Sequence, residues 1–196
     1  MSYPNDQGNP ASSIPVQSSE MPASTLVDRS GTVNAGVSAV AVAAGGTGYA
    51  VNDTISIGNG VSLLVTTVNA GVITAVSVAN IGSVASAATP TNPVAQVATS
   101  GAGTGATFNL TWGAGVSTQI MPANAARRRY RIQNLSTTEV LWLNDTGGVA
   151  GASTPGSYGL TPSQGNYPGD YYEFYSVFAI SVYAATPGHV FSAAEY

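Results

Sequence analysis

The chain has no cysteine and no lysine, a single histidine, and charged residues at only 7% of its 196 positions. Each shortage excludes something. Without cysteine there can be no disulfide and no thiolate metal site, so stability must come from packing and association. Without lysine there is no amine nucleophile, and with His189 alone neither a multi-histidine metal site nor a Cys–His pair can be assembled within one chain. A Ser-His-Asp site would have to use His189, which follows a Pro-Gly turn, and no G-x-S-x-G elbow accompanies it. His189 is therefore expected to be a turn residue with one ring nitrogen in solvent. No apolar run approaches the roughly eighteen residues of a membrane helix, and the Ser/Pro/Asn-rich start has neither the charged nor the apolar region of a secretory signal. The net charge of −4 gives no general attraction to nucleic acid or anionic membrane. Together these shortages predict a protein that is not an enzyme, holds no cofactor or metal, and has neither a nucleic-acid nor a membrane partner.

What is present is strand chemistry. Val, Thr, Ile and Tyr alternate with Gly, Asn and Ser, and no window of a dozen residues sustains helical apolar spacing, so an all-β fold with scarce helix is expected. The length allows one good core or two small ones. The reading is an extended N-terminal arm over 1–32, a Gly-rich pseudo-repeat β domain over 33–115 and a small C-terminal β-sandwich or jelly-roll-like barrel over 116–196.

The arm carries Pro4, Pro10, Pro15 and Pro22 among scattered apolar residues, Tyr3, Ile14, Val16, Met21 and Leu26, which suit an extended tether against a partner. Its removal is expected to spare the fold. From Val33, VNAGVSAVAVAAGG reappears as VNAGVITAVSVANIG from Val68, which predicts a duplicated β-unit. Ile55 and Ile57, Leu63 and Val65, then Val72, Val76 and Val78, and Phe108, Leu110 and Trp112 alternate as half-buried strands. Between Thr54 and Ala126 there is no charged residue at all. Such a surface is either coated with Ser, Thr and Asn or covered by partners.

Residues 127–144, RRRYRIQNLSTTEVLWLN, hold four of the five basic residues. Alternation places Arg127, Arg129, Arg131 and Gln133 on one strand face, with Arg128, Tyr130 and Ile132 on the other. The arginine row admits three readings: partners for carboxylates on another subunit, contacts to nucleic acid, or a solvated edge. The first is favoured, because arginine suits bidentate carboxylate pairing and nothing else basic supports phosphate tracking. Val140 to Leu143 is apolar on both faces, as in a central strand or at a subunit contact. Further on, residues 144–169 read as a long loop. Val177 to Ala184 reads as a strand with Phe178, Ile180 and Val182 on one face.

Asp170 and Glu173 in GDYYEFY are the minimum equipment of a glycosidase, but a three-residue offset on a strand sends them to opposite faces. Tyr167, Tyr171, Tyr172 and Tyr175 could stack on sugar rings or simply pack. Asn144, Asp145 and Thr146 offer oxygen ligands, yet too few carboxylates for a calcium loop.

The stretch 127–144, with LTPSQGNYPGDYYEF (160–174) and AISVYAATPGHVFSAAEY (179–196), resembles a small β-domain of tailed-bacteriophage virion proteins, found in capsid decoration, head-fibre and fibre-tip components. AVAAGGTGYAVNDTISI (41–57) and GAGTGATFNLTW (101–112) resemble a Gly-rich β-repeat of phage fibre and virion proteins, with Asn52 where that repeat would have glycine. The resemblance implies a virion structural part with no catalytic site. The expectation is a capsid decoration or cement protein on the capsid surface. It would bind the major capsid protein through Tyr3, Ile14, Val16, Met21, Leu26, Arg127, Arg129 and Arg131, and would form a homo-oligomer, with a trimer favoured. The alternative is a head-fibre or tail-fibre adhesin that binds host glycan through Tyr167, Tyr171, Tyr172 and Tyr175.

Overall fold

A computed structural model describes residues 26–164 and 167–196. Its strands are β1 (Val27–Asp28), β2 (Gly31–Thr32), β3 (Asn34–Thr47), β4 (Thr54–Gly58), β5 (Val61–Asn69), β6 (Val72–Ile81), β7 (Val94–Ala95), β8 (Ala98–Thr99) and β9 (Thr104–Val116). They continue with β10 (Thr118–Met121), β11 (Tyr130–Asn134), β12 (Leu141–Asn144), β13 (Ser157–Leu160), β14 (Tyr171–Phe174), β15 (Ile180–Tyr183) and β16 (Val190–Glu195). The protein is all-β: the described strand ladders are antiparallel, and the helical content among described residues is one short 3₁₀ turn, Ser86–Ala88.

Two sheets face each other at the C-terminal end. One runs β1-β16-β11-β14, with β2 also on β16, and the other runs β10-β15-β12-β13. Alternation does the work here: Tyr130, Ile132, Leu141, Leu143, Ile180, Val182, Phe191 and Ala193 all point into one core between the sheets. Each large apolar side chain buried there contributes about 1.5–3 kcal/mol. β12 lies between β13 and β15, so the two-faced Val140 to Leu143 stretch is indeed interior to its sheet. The pair of sheets is a sandwich and does not close into a barrel.

The other unit stacks β3-β9-β7 against β6-β5-β4-β8 over a second core that includes Ile55, Leu63, Val65, Phe108 and Leu110. The long β3 and β9 run side by side from Asn34 opposite Val116 to Thr47 opposite Thr104. This unit is inserted into the sandwich. The chain makes β1 and β2 on the sandwich edge, leaves through β3, returns along β9 and resumes the sandwich at β10. Residues 27–32 therefore belong to the C-terminal sheet, where Val27 pairs with Glu195 and Gly31 with Phe191, and not to a free arm. The remainder of the proposed arm, 1–25, lies outside the described residues.

Several local expectations are corrected by turn chemistry. V-N-A-G-V at 33–37 runs extended into β3, whereas the same letters at 68–72 form the β5–β6 hairpin, with Ala70 at φ 50° and Gly71 at φ 80°. The sequence repeat is thus not a repeated unit throughout; only the strands that follow, in β3 and β6, correspond. A register shift in the β5–β6 ladder skips Thr74, so Ile73 is buried and Val72 is exposed. Asn52 stands at φ 74°, in the left-handed region that glycine favours and that asparagine tolerates better than most other residues. Tyr49 is buried between the turns. Its hydroxyl accepts the Ala106 N–H at 3.3 Å, and a Cβ on Gly103 would collide with its ring, so the two glycine-rich stretches are glycine-rich partly to admit one tyrosine.

Candidate functional site

The arginine segment does not behave as a single row, because β11 begins only at Tyr130. Before it the chain turns at Asn124, whose side chain accepts the Ala126 N–H at 3.0 Å and whose carbonyl accepts the Arg127 N–H at 3.2 Å. This turn sends Arg127 inward, where the residue is 1% exposed. Its Nε donates to Glu195 Oε2 at 2.7 Å, and its terminal nitrogens donate to the carbonyls of Ser176 (2.9 Å), Phe178 (2.8 Å) and Pro122 (2.6 Å). Glu195 Oε1 meanwhile accepts from Arg29 Nε at 2.9 Å and Nη2 at 2.6 Å. Burial alone would raise the Glu195 carboxyl, but hydrogen bonds and charge from Arg127 and Arg29 outweigh it and hold the group below its ordinary value. Arg127 is therefore an internal tie, and its assignment to a partner-facing surface is corrected.

Arg129 and Arg131 do lie together on the outer face. Arg129 bonds Glu173 at 2.8 Å, and the two guanidinium carbons lie 4.7 and 5.9 Å from the centre of the Tyr196 ring. Leu26 is exposed just ahead of β1. Tyr3, Ile14, Val16 and Met21 fall outside the described residues.

The four tyrosines proposed for sugar stacking are not brought together. Along β14 successive residues face opposite ways, so Tyr171 joins Glu173 on the outer face and hydrogen-bonds it. Tyr172 turns inward, with its ring 5.7 Å from Tyr158 and 5.8 Å from Phe174. Tyr167 is 78% exposed in the preceding loop. Asp170 accepts the Thr161 N–H and hydroxyl at 2.9 and 2.8 Å, bonds that hold its carboxyl below the usual range, and so acts as a loop cap, not as one half of an acid pair.

Residues weighed separately in the sequence, among them Tyr175, Asp145, Thr146 and His189, line two concave sites that the sequence did not group. A cleft of about 250 Å³ opens at the end of β12 between Tyr158, Phe174, Tyr175, Val177 and Phe178, with Asp145, Thr146 and Ser176 among its lining residues. Asn144 shapes it: its amide donates to the Val149 and Pro155 carbonyls (3.1 and 3.3 Å), and its Oδ1 accepts the Thr146 N–H and hydroxyl (3.0 and 2.9 Å). Asp145 Oδ2 accepts the hydroxyl of buried Tyr130 at 2.5 Å. Burial first, and then the Asp145 carboxylate, push the Tyr130 phenol far up, so it remains a proton donor. Phe178, expected to share a strand face with Ile180 and Val182, is 57% exposed because β15 begins only at Ile180.

A second hollow of about 320 Å³ includes Glu139, Thr186 and His189 in its lining. His189 is buried here, contrary to the expectation of a solvent-facing turn residue. Asn134 donates to the Glu139 and Leu160 carbonyls at 2.9 and 2.8 Å, which leaves its Oδ1 to accept His189 Nε2–H at 2.9 Å. His189 Nδ1 lies 3.7 Å from Glu139 Oε2. Burial pushes the imidazole below its ordinary value, and Glu139 opposes this only in part. Among the described residues no group of three or more His, Asp or Glu is placed to hold a metal ion.

Comparison with protein families, characterised proteins and solved structures gives no match to this chain.

Proposed function

We propose that the protein is a structural component of a virion, a decoration or cement protein that binds the major capsid shell and works by association, not by chemistry. The observation that carries this reading is the nearly uncharged inserted unit. From Ser30 to Ala126 only Asp53 is charged, and its carboxylate is turned back onto its own loop, where it accepts the Ala50 N–H at 2.9 Å. A face of Ser, Thr, Ala and Val loses little on leaving water, because no ion must be stripped of its hydration. Such a face suits broad contact with neighbouring subunits. The outer Arg129 and Arg131 pair adds a charged rim, and the same neutral surface supports self-association as a trimer.

The test is co-sedimentation of the purified protein with mature shells that lack it, followed by imaging of the decorated particles. Saturable, site-specific density is expected, together with a solution mass by light scattering near three times 19.6 kDa. Intact shells that sediment without the protein would overturn the decoration role, and a monomer both in solution and on the particle would overturn the trimer.

A further inference from the structure

We propose that the cleft at the end of β12 is an anchor pocket for the side-chain ammonium of a lysine carried by a partner protein. This rests on the reading of the chain as a protein-binding part. Asp145 is only 7% exposed, and one of its oxygens, Oδ2, is taken by Tyr130. Its other oxygen, Oδ1, accepts no hydrogen bond from any described residue and is not sealed from solvent. That oxygen is left as an open acceptor at the cleft. None of the residues lining the cleft is a cation. Arg127 passes behind the 176–178 loop, but its donors are committed to Glu195 and to three carbonyls.

The walls select among possible occupants. Tyr158, Phe174, Tyr175 and Phe178 present aromatic rings, which attract a cation on an apolar stem. A neutral sugar hydroxyl could also reach Oδ1, but a charge-assisted bond is about twice as strong and also neutralises the acid. A guanidinium gains most where it can pair with both oxygens of a carboxylate, and only one carboxylate oxygen is free here. A quaternary ammonium has no N–H to give to that oxygen. A primary ammonium has three donors, and Oδ1, the Thr146 hydroxyl and the Ser176 hydroxyl all retain acceptor capacity around the cleft. The chain contains no lysine, so this occupant comes from a different protein and not from a second copy.

The experiment titrates the isolated protein with Nα-acetyl-lysine N-methylamide, following the aromatic resonances by NMR. The norleucine and arginine analogues and methyl α-glucopyranoside serve as comparisons. Saturable binding of the lysine compound with a Kd on the order of 1 mM is expected, weakened about tenfold or more by Asp145→Asn, which can still accept from Tyr130. Phe178→Ala removes an exposed ring without opening the core and should weaken binding about threefold, so the proposal stays testable even if the Asp145 variant fails to fold. Failure to saturate by about 50 mM, equal binding of the norleucine or arginine compound, tighter binding of the glucoside, or an affinity unchanged by Phe178→Ala each overturns it. No shell takes part in this measurement. Failure of the pocket therefore leaves shell binding standing, and failure of shell binding leaves the pocket standing.

Discussion

Two positions separate Arg127 from Arg129, yet the first guanidinium is enclosed by a carboxylate and three carbonyls while the second lies mostly in solvent beside Glu173. Breaking a buried ion pair from one side leaves an uncompensated charge, so Arg127→Ala is expected to cost about 3–5 kcal/mol. Arg129→Ala is expected to cost about 0–1 kcal/mol. Urea unfolding of both variants checks the contrast, and equal losses would refute it. Glu195, the partner of Arg127, and the buried His189 both shape the response to acid. Glu195 is held down, so its stabilisation is complete above the unfolded value of about 4.3 and is lost as pH falls through the lower folded value. His189 is also held down: below about 6.5 the unfolded chain takes up a proton that the folded imidazole resists, and stability falls towards the lower folded value. The thermal midpoint should therefore decline in two stages on acidification. His189→Gln should flatten the upper stage and Glu195→Gln the lower, and profiles parallel to the parent's would refute the assignment.

At the scale of the element, sterics at glycine decide how closely neighbouring segments can approach. A Cβ on Gly103 would enter the Tyr49 ring, whereas one on Gly31 would meet Phe191 at an ordinary 3.6 Å. Gly103→Ala is expected to destabilise by about 1–3 kcal/mol, with Gly31→Ala within about 0.5 kcal/mol of the parent, as read by chemical denaturation. Alternation made much of this architecture legible from the residues alone. Ile55 and Ile57, Leu63 and Val65, Phe108 and Leu110, and Tyr130 and Ile132 are buried as their spacing predicts. What periodicity could not show was where a strand starts. The turn at Asn124 sends Arg127 inward, the late start of β15 releases Phe178, and β13 rises within a stretch that reads as loop. Nor can spacing show which partner a polar group finds at long range. Asn134 and His189, 55 residues apart, meet by their side chains, and Asp145 becomes the acid of a cleft only because β14 and the loop before β15 fold over it.

For the whole molecule, the insertion makes the sandwich discontinuous in sequence. Asn34 faces Val116, and the unit between them leaves and returns through adjacent strands. Cutting out 34–116 and joining Val33 to Ser117 through a short glycine linker should leave a sandwich that unfolds cooperatively, checked by calorimetry. Removing 26–32 should do the reverse. It takes away β1, β2 and the Arg29 contacts to Glu195, so a marked fall in thermal midpoint is expected where the sequence alone suggested a dispensable arm.

That pairing of β1 with β16 also governs the response to mechanical load. Val27 lies opposite Glu195 on antiparallel strands, so Leu26 and Tyr196 sit at the same end of the ladder. Tension applied between those two residues would peel β1 away one bond at a time instead of shearing many bonds together. Arg29, clamped on Glu195, would be the first latch in the line of force. The inserted unit, hanging from its paired neck, would carry none of the load until the sandwich had opened.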